Sequence, residues 1–312
     1  MYEEMLPIAL APMAGVTDYA MRSLWRAYGA WPLFSEMVSA KAIVMGNKKT
    51  WGLFPKEDEQ DVALQLFGSE PDVMAKAAAI LKEEGYKWID INMGCPVPKV
   101  AGHGEGSALF CDPLRAFQIV AAVAQQGLTV SVKMRIGFHE VDVPKAVAFA
   151  QGLEKAGARA LAVHGRSRAQ YYAGKADWQA IAEVVKGVQI PVLANGDVTD
   201  LASAQAILQQ TGAKGMMIGR AARGNPWLFR TIRQGLKGEE APLVSIKERK
   251  AVILEHAKRL EADKGAYVAY RELRKHIAWY THGMHGAANL RRLGAELSSY
   301  DDLEAFLGAL HA

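Results

Sequence analysis

Trp88-Ile89-Asp90-Ile91-Asn92-Met93-Gly94-Cys95-Pro96 is the stretch around which the chain is organised. Its apolar run climbs through Ile89 and Ile91 and stops at Asn92, the pattern of a buried strand that ends at a polar amide. Gly94 and Pro96 then turn the backbone sharply and hold up Cys95, one of only two cysteines. A free cysteine is commonly a small buried hydrophobe. A thiol just past a strand end, with its backbone constrained on both sides, is instead placed to meet a ligand.

The same alternation of apolar run, polar end and helix recurs on both sides of this stretch. Residues 8–11 form a first strand that breaks at Pro12-Met13-Ala14-Gly15, and Thr17 or Asp18 can cap a helix over 20–28. A short strand over 33–36 ends at Glu36 and leads to a short helix over 37–45, then to polar, irregular residues 48–61. The strand over 62–67 carries Gln65, and Ala75, Ala78, Ala79 and Leu81 give the helix over 71–84 its period. Beyond Cys95, residues 97–107 contain Gly102, Gly104 and Gly106 and read as a mobile lid. A helix starting at Asp112-Pro113 follows. Strands over 129–134, 160–163, 191–194 and 215–218 end at Lys133 and Arg135, His164 and Arg166, Asn195-Gly196-Asp197, and Gly219-Arg220. Helices over 143–156, 178–186, 201–210 and 227–236 fill the intervals.

Eight strand–helix units imply parallel βαβ connections and an α/β fold, a (β/α)8 TIM barrel. A doubly wound sheet is the competitor. It seldom needs eight regular units, and no G-x-G-x-x-G follows the first strand. The barrel occupies 1–237, a linker with Gly238 and Pro242 occupies 238–244, and a small all-helical domain follows over 245–312. That domain gathers Lys264, Arg271, Arg274, Lys275, Arg291 and Arg292, with His276, His282, His285, Trp279 and Tyr280 interleaved and only Glu272 opposing. A charge run is often just a solvated face. A basic strip with aromatics also suits a phosphate backbone, and Arg271, Arg274 and Lys275 share one helical face.

Composition excludes several classes. The chain has 312 residues, 50% hydrophobic and 22% charged, with a net charge of +4. This is an ordinary globular balance with a mild leaning toward polyanionic partners. Two cysteines make no disulfide framework and no metal-binding spacing, so no metal site is expected. Residues 1–10 hold Glu3 and Glu4 and lack a basic n-region, and no apolar run is long enough for a bilayer. A cytoplasmic protein with no membrane association is the expectation.

In a barrel of this kind the active site lies at the C-terminal strand ends. Polar residues at nearly every end would converge on one cavity. The glycine-rich ends of strands seven and eight suit a phosphate, bound through backbone N–H groups and Arg220. Gln65 and Asn92 offer donors and acceptors to a uracil-like or flavin edge, and Lys133 can stabilise negative charge developing on such a ring.

Asp90-Ile91-Asn92-Met93-Gly94-Cys95-Pro96, followed by Val100 and by Gly106-Ser107, resembles the signature of the tRNA-dihydrouridine synthases. Pro12-Met13-Ala14-Gly15, Gln65-Leu66-Phe67-Gly68, Lys133-Met134-Arg135, His164-Gly165-Arg166, Asn195-Gly196-Asp197 and Gly219-Arg220-Ala221-Ala222 follow the family's order. Arg274-Lys275-His276 and Trp279-Tyr280 resemble its helical domain, and the bacterial B-type is the most similar. The resemblance implies FMN resting on Pro12, Met13 and Ala14 and bonded by Gln65, Asn92, Lys133 and His164. Its phosphate would lie on Asn195, Gly196, Asp197, Gly219 and Arg220. It further implies reduction of the C5=C6 bond of specific uridines in the tRNA D-loop, with NADPH as electron source and Cys95 protonating C5. Lys99, Arg135, Arg166, Arg271, Arg274 and Lys275 would contact RNA, and the enzyme would act as a monomer without an obligatory protein partner. The loop after Cys95 departs from the family in offering only Lys99 and His103 as basic groups, opposed by Glu105. Two alternatives remain: an FMN-dependent dehydrogenase of a free pyrimidine, of the dihydroorotate type, and a non-catalytic RNA-binding barrel protein.

Overall fold

A computed structural model describes residues 6–311 of the chain; Met1 to Met5, on which part of the leader reading rests, and Ala312 lie outside the described residues. Eight parallel strands curl into one barrel in the order β1-β8-β7-β6-β5-β4-β3-β2. They are β1 Ile8–Leu10, β2 Val38–Ser39, β3 Leu64–Phe67, β4 Trp88–Met93, β5 Thr129–Arg135, β6 Ala160–His164, β7 Val192–Asn195 and β8 Gly215–Ile218. The helices around and after it are α1 Tyr19–Ala27, α2 Ala40–Val44, α3 Pro71–Glu83, α4 Pro98–Ala101, α5 Pro113–Ala124, α6 Val143–Lys155, α7 Trp178–Gly187, α8 Leu201–Thr211 and α9 Trp227–Leu236. Four more complete the chain: α10 Ile246–Lys264, α11 Ala266–Tyr280, α12 Ala287–Ala295 and α13 Tyr300–Ala309.

The strands are largely buried on both faces because helices cover the outside and side chains fill the inside. Five of the helices around the barrel begin at an aspartate whose carboxylate accepts an otherwise orphaned N–H. Asp18, Asp112, Asp142, Asp177 and Asp200 cap α1, α5, α6, α7 and α8 in this way. The chain therefore enters these five helices at fixed points.

The second strand differs from its expected position. Residues 31–35 pair on both sides, Trp31 N–H to Ile8 O and Ser35 N–H to Ala63 O, and so close the barrel between β1 and β3. The longer ladder lies further on, where Val38 and Ser39 meet Leu66 and Phe67. Residues 97–107 also differ from the expected loose lid. Pro98 and the following residues form α4, Gly106–Cys111 is a 3-10 turn, and Ser107 N–H donates to Cys95 O at 3.2 Å. Val100 and Ser107 are buried, which seats the segment on the barrel.

One hydrophobic core joins the outer barrel to the C-terminal helices without dividing at residues 238–244. At the join Trp25 of α1 is fully buried, donates Nε1–H to Ala222 O at 2.9 Å, and meets the His256 ring edge-on. Burying such a ring stabilises by roughly 4–6 kcal/mol as an upper bound. Lys264, at the end of α10, reaches back to the Asp18 cap at 2.6 Å. Arg22 of α1 forms a buried ion pair with Glu59, which fixes the irregular segment beside it.

Candidate active site

The C-terminal strand ends open into a cavity of about 940 Å³. Cys95 and all twelve residues expected to hold a cofactor line it: Pro12, Met13 and Ala14 after β1, Gln65 on β3, Asn92 on β4, Lys133 on β5, His164 on β6, Asn195, Gly196 and Asp197 at β7, and Gly219 and Arg220 at β8. Strand register explains the convergence. Asn92 is paired with Lys133, and Gln65 with Asp90 one layer lower, so their side chains share the barrel interior.

The floor is a chain of hydrogen bonds. Gln65 Nε2–H donates to Asp90 at 2.7 Å, and Asn92 Nδ2–H donates to Gln65 Oε1 at 2.8 Å. Asn92 Oδ1 in turn accepts from the backbone N–H groups of Gly94, at 3.2 Å, and Cys95, at 2.9 Å. The amide that ends the strand therefore shapes the turn that carries the thiol. Burial pushes the Cys95 thiol above its ordinary value, against the pull of Arg135 and Lys133. Burial pushes the Lys133 ammonium down to about 8, aided by the Arg135 cation and opposed by Asp90. His164 is held neutral, well below its usual range, by burial and by Lys133, Arg135, Arg166 and Arg220. Arg166 Nη1 lies 3.4 Å from His164 Nε2, and a guanidinium only donates, so the imidazole proton sits on Nδ1.

Two arginines expected on RNA are committed inside the protein. Arg135 is buried; its Nε donates to Gly94 O, and its Nη1 to Ser167 O and Tyr171 O, each at 2.9 Å. It clamps the turn of Cys95 to the loop after β6. Arg166 is 1% exposed, donates to Ala173 O and Gly174 O, and forms an ion pair with Asp197 at 2.7 Å. Asp197 and Asn195 likewise hold the rim rather than offer themselves to an anion. Asp197 carries φ 58 and accepts from Arg166, Arg220 and the Ala176 N–H; Asn195 donates to Met217 O. Gly196 is required between them, since a Cβ there would lie 2.6 Å from the Ala176 Cβ and 3.3 Å from the His164 ring. Glu36 does not line the cavity; it accepts from Gly15 N–H and anchors the Pro12–Gly15 loop from behind.

The sequence reading missed Tyr171, Tyr172 and Arg223, which also line the cavity. Tyr172 is half-exposed, with the Arg220 guanidinium 4.4 Å from its ring and His164 beside it. Two adjacent tyrosines in a polar loop straight after a strand end were the available signal. Of the other residues expected on RNA, Lys99 is exposed on α4 outside the cavity, and Arg271 is exposed on α11, stacked on Tyr267 at 3.7 Å. Arg274 is partly buried and donates to Leu297 O, and Lys275 faces Glu272. His276 and Tyr280 do not belong to the exposed strip. Both are fully buried, and His276 is kept neutral by burial and by its neighbour His256. Trp279 supports Arg223 at 4.9 Å.

Residues 9–311 match a family described as Dihydrouridine synthase. The chain is 41% identical over 288 residues to a probable tRNA-dihydrouridine synthase of Rickettsia conorii, covering 91% of this chain and 87% of that one. It is 38% identical over 301 residues to tRNA-dihydrouridine synthase B of Pseudomonas aeruginosa, covering 96% and 90%. Among solved structures, a histamine dehydrogenase from a Rhizobium species superposes with a TM-score of 0.55 at 11% identity, over 81% of this chain and 48% of that one, a likeness of barrel fold.

Proposed function

The chain belongs to the dihydrouridine synthase family, and on that premise we propose that it is a flavin-dependent oxidoreductase that reduces the C5=C6 bond of uridines in tRNA. One observation carries the reading: the half-buried Cys95 thiol lines a large cavity whose floor offers amide N–H groups and whose wall offers Lys133. The lining residues fit FMN. Pro12, Met13 and Ala14 leave room for a planar ring, Gln65 and Asn92 supply donors, and Arg220 and Arg223 supply positive charge at the β8 end. The backbone at Gly196 and Gly219, rather than the Asn195 and Asp197 side chains, would meet a phosphate.

FMN, when bound and reduced, supplies hydride for C6 of the uridine. Lys133 holds positive charge where negative charge develops on the pyrimidine. Cys95 delivers a proton from Sγ to C5, and the thiolate left behind is stabilised by Arg135 and Lys133. A raised thiol pKa suits this role, since the group must carry its proton at neutral pH. NADPH is the proposed reductant, and the enzyme is proposed to act as a monomer in the cytoplasm. The target uridine must leave its stack to reach a cavity inside a barrel mouth. The exposed cations of α11 would hold the tRNA while the base enters.

Incubation of the purified protein with FMN, NADPH and tRNA lacking dihydrouridine tests this directly. Nucleoside mass spectrometry should show a gain of 2 Da on uridine, as two hydrogens are added. Flavin that is reduced by NADPH while tRNA stays unchanged would sink the assignment.

A further inference from the structure

The chemistry above leaves one carboxylate without a task. Asp90 is 1% exposed inside the barrel, below the cavity and outside its lining. Ionised, it is an acceptor only. Gln65 Nε2–H and Ser131 Oγ–H both donate to it, at 2.7 and 2.6 Å, and Trp88 Nε1–H steadies Ser131 Oγ at 2.9 Å. The far end of the chain is donor-only, because the Gly94 and Cys95 backbone N–H groups demand an oxygen from Asn92. The two ends agree, and each amide between them has one allowed orientation. Both amide oxygens are engaged within the chain. The groups left over are N–H: a second proton on Gln65 Nε2, and one on Asn92 Nδ2 whose remaining hydrogen-bond partner among the described residues is the Met37 thioether at 3.9 Å.

We propose that Asp90 is a positioning residue that acts through Gln65, locking the amide so that the cavity floor grips its ligand along an acceptor edge of adjacent ring carbonyls and ring nitrogen. This rests on the reading of the cavity as a flavin site and specifies which edge of the ring faces β3 and β4. An ionised carboxylate in a barrel interior burdens the fold, and the direction it imposes on Gln65 is the return.

A double-mutant cycle separates this from a packing role. Flavin-free wild type, Asp90→Asn, Gln65→Ala and the double variant are titrated with FMN and followed by quenching of flavin fluorescence. Asp90→Asn should raise the Kd about tenfold in the wild-type background, as charge-assisted bonds become neutral ones. In the Gln65→Ala background it should change the Kd less than about twofold, because the residue it acts through is gone. The melting temperature of flavin-free Asp90→Asn should not fall. Equal losses in both backgrounds, or an unchanged Kd in the first, overturns the positioning role. A wild type that fails to take up FMN overturns the flavin reading itself, and with it this inference.

Discussion

Asp90→Asn should make the flavin-free protein more stable at neutral pH, and the gain should depend on pH. Burial raises the Asp90 carboxyl from 3.8 to about 6, against the opposing help of Gln65, Ser131 and Lys133. A carboxyl whose folded pKa lies above its unfolded value favours folding only while protonated. The native state then holds more protons than the unfolded chain between those two values, so stability falls as pH rises through them. The penalty is absent below about pH 4, grows between pH 4 and 6, and is complete above pH 6, where it reaches about 3 kcal/mol. Asparagine keeps the shape and the neutral bonds of the protonated acid and removes the penalty, which is already net of the bonds from Gln65 and Ser131. The variant should therefore lead by about 3 kcal/mol at pH 7.5, or about 5 °C in melting temperature for a chain of this size. At pH 4 the two proteins should melt together. The assay is thermal unfolding of both flavin-free proteins at the two pH values, each compared at the same pH so that other titrating groups cancel. A variant less stable than wild type at pH 7.5, or a difference that is the same at both pH values, would refute the reasoning.

Three further outcomes are expected. Cys95→Ala should retain bound flavin and reductant oxidation while dihydrouridine formation falls about 10²–10⁴-fold, measured by nucleoside mass spectrometry. Reversing two cations of α11 together, Arg271→Glu with Lys275→Glu, should weaken tRNA binding most at low salt and reduce the slope of log affinity against log salt by about two, with flavin content unchanged. Gly224 has φ +63, and a Cβ there would lie 2.5 Å from the Trp279 carbonyl carbon and the Tyr280 nitrogen. Gly224→Ala should destabilise by about 2–4 kcal/mol in a chemical-denaturation measurement, through left-handed strain and a clash with main-chain atoms.

The barrel was legible because its strands end where apolar runs meet polar residues, and because each is followed by a helical period. Cys95, Lys133 and His164 were found by position alone: a strand-end residue in this fold has one place to go. Direction and distance were not legible. Nothing near Arg166 in the chain announces that its guanidinium turns inward to Asp197, 31 residues on. Arg135, expected on RNA, is likewise enclosed by the Gly94, Ser167 and Tyr171 carbonyls, which no local pattern announces. His276 and Tyr280 carried the composition of a basic aromatic strip, yet their helix rotates them against α10. Asp90 escaped notice because its role depends on cross-strand register with Gln65 and Ser131, which no local pattern encodes.

The shared core between the outer barrel and the C-terminal helices bears on how such enzymes can be recombined. Trp25 on α1 meets His256 of α10 and the Tyr280 ring of α11, and Lys264 is tied to the cap of the helix that follows the Pro12–Gly15 loop. A chimera that exchanges residues 245–312 for those of a relative would transplant half of an interface and strand the other half. Swapping α1 along with the tail moves both faces together. In engineered hybrids the unit to exchange is therefore discontinuous, the tail plus a helix more than two hundred residues earlier, rather than the terminal segment alone.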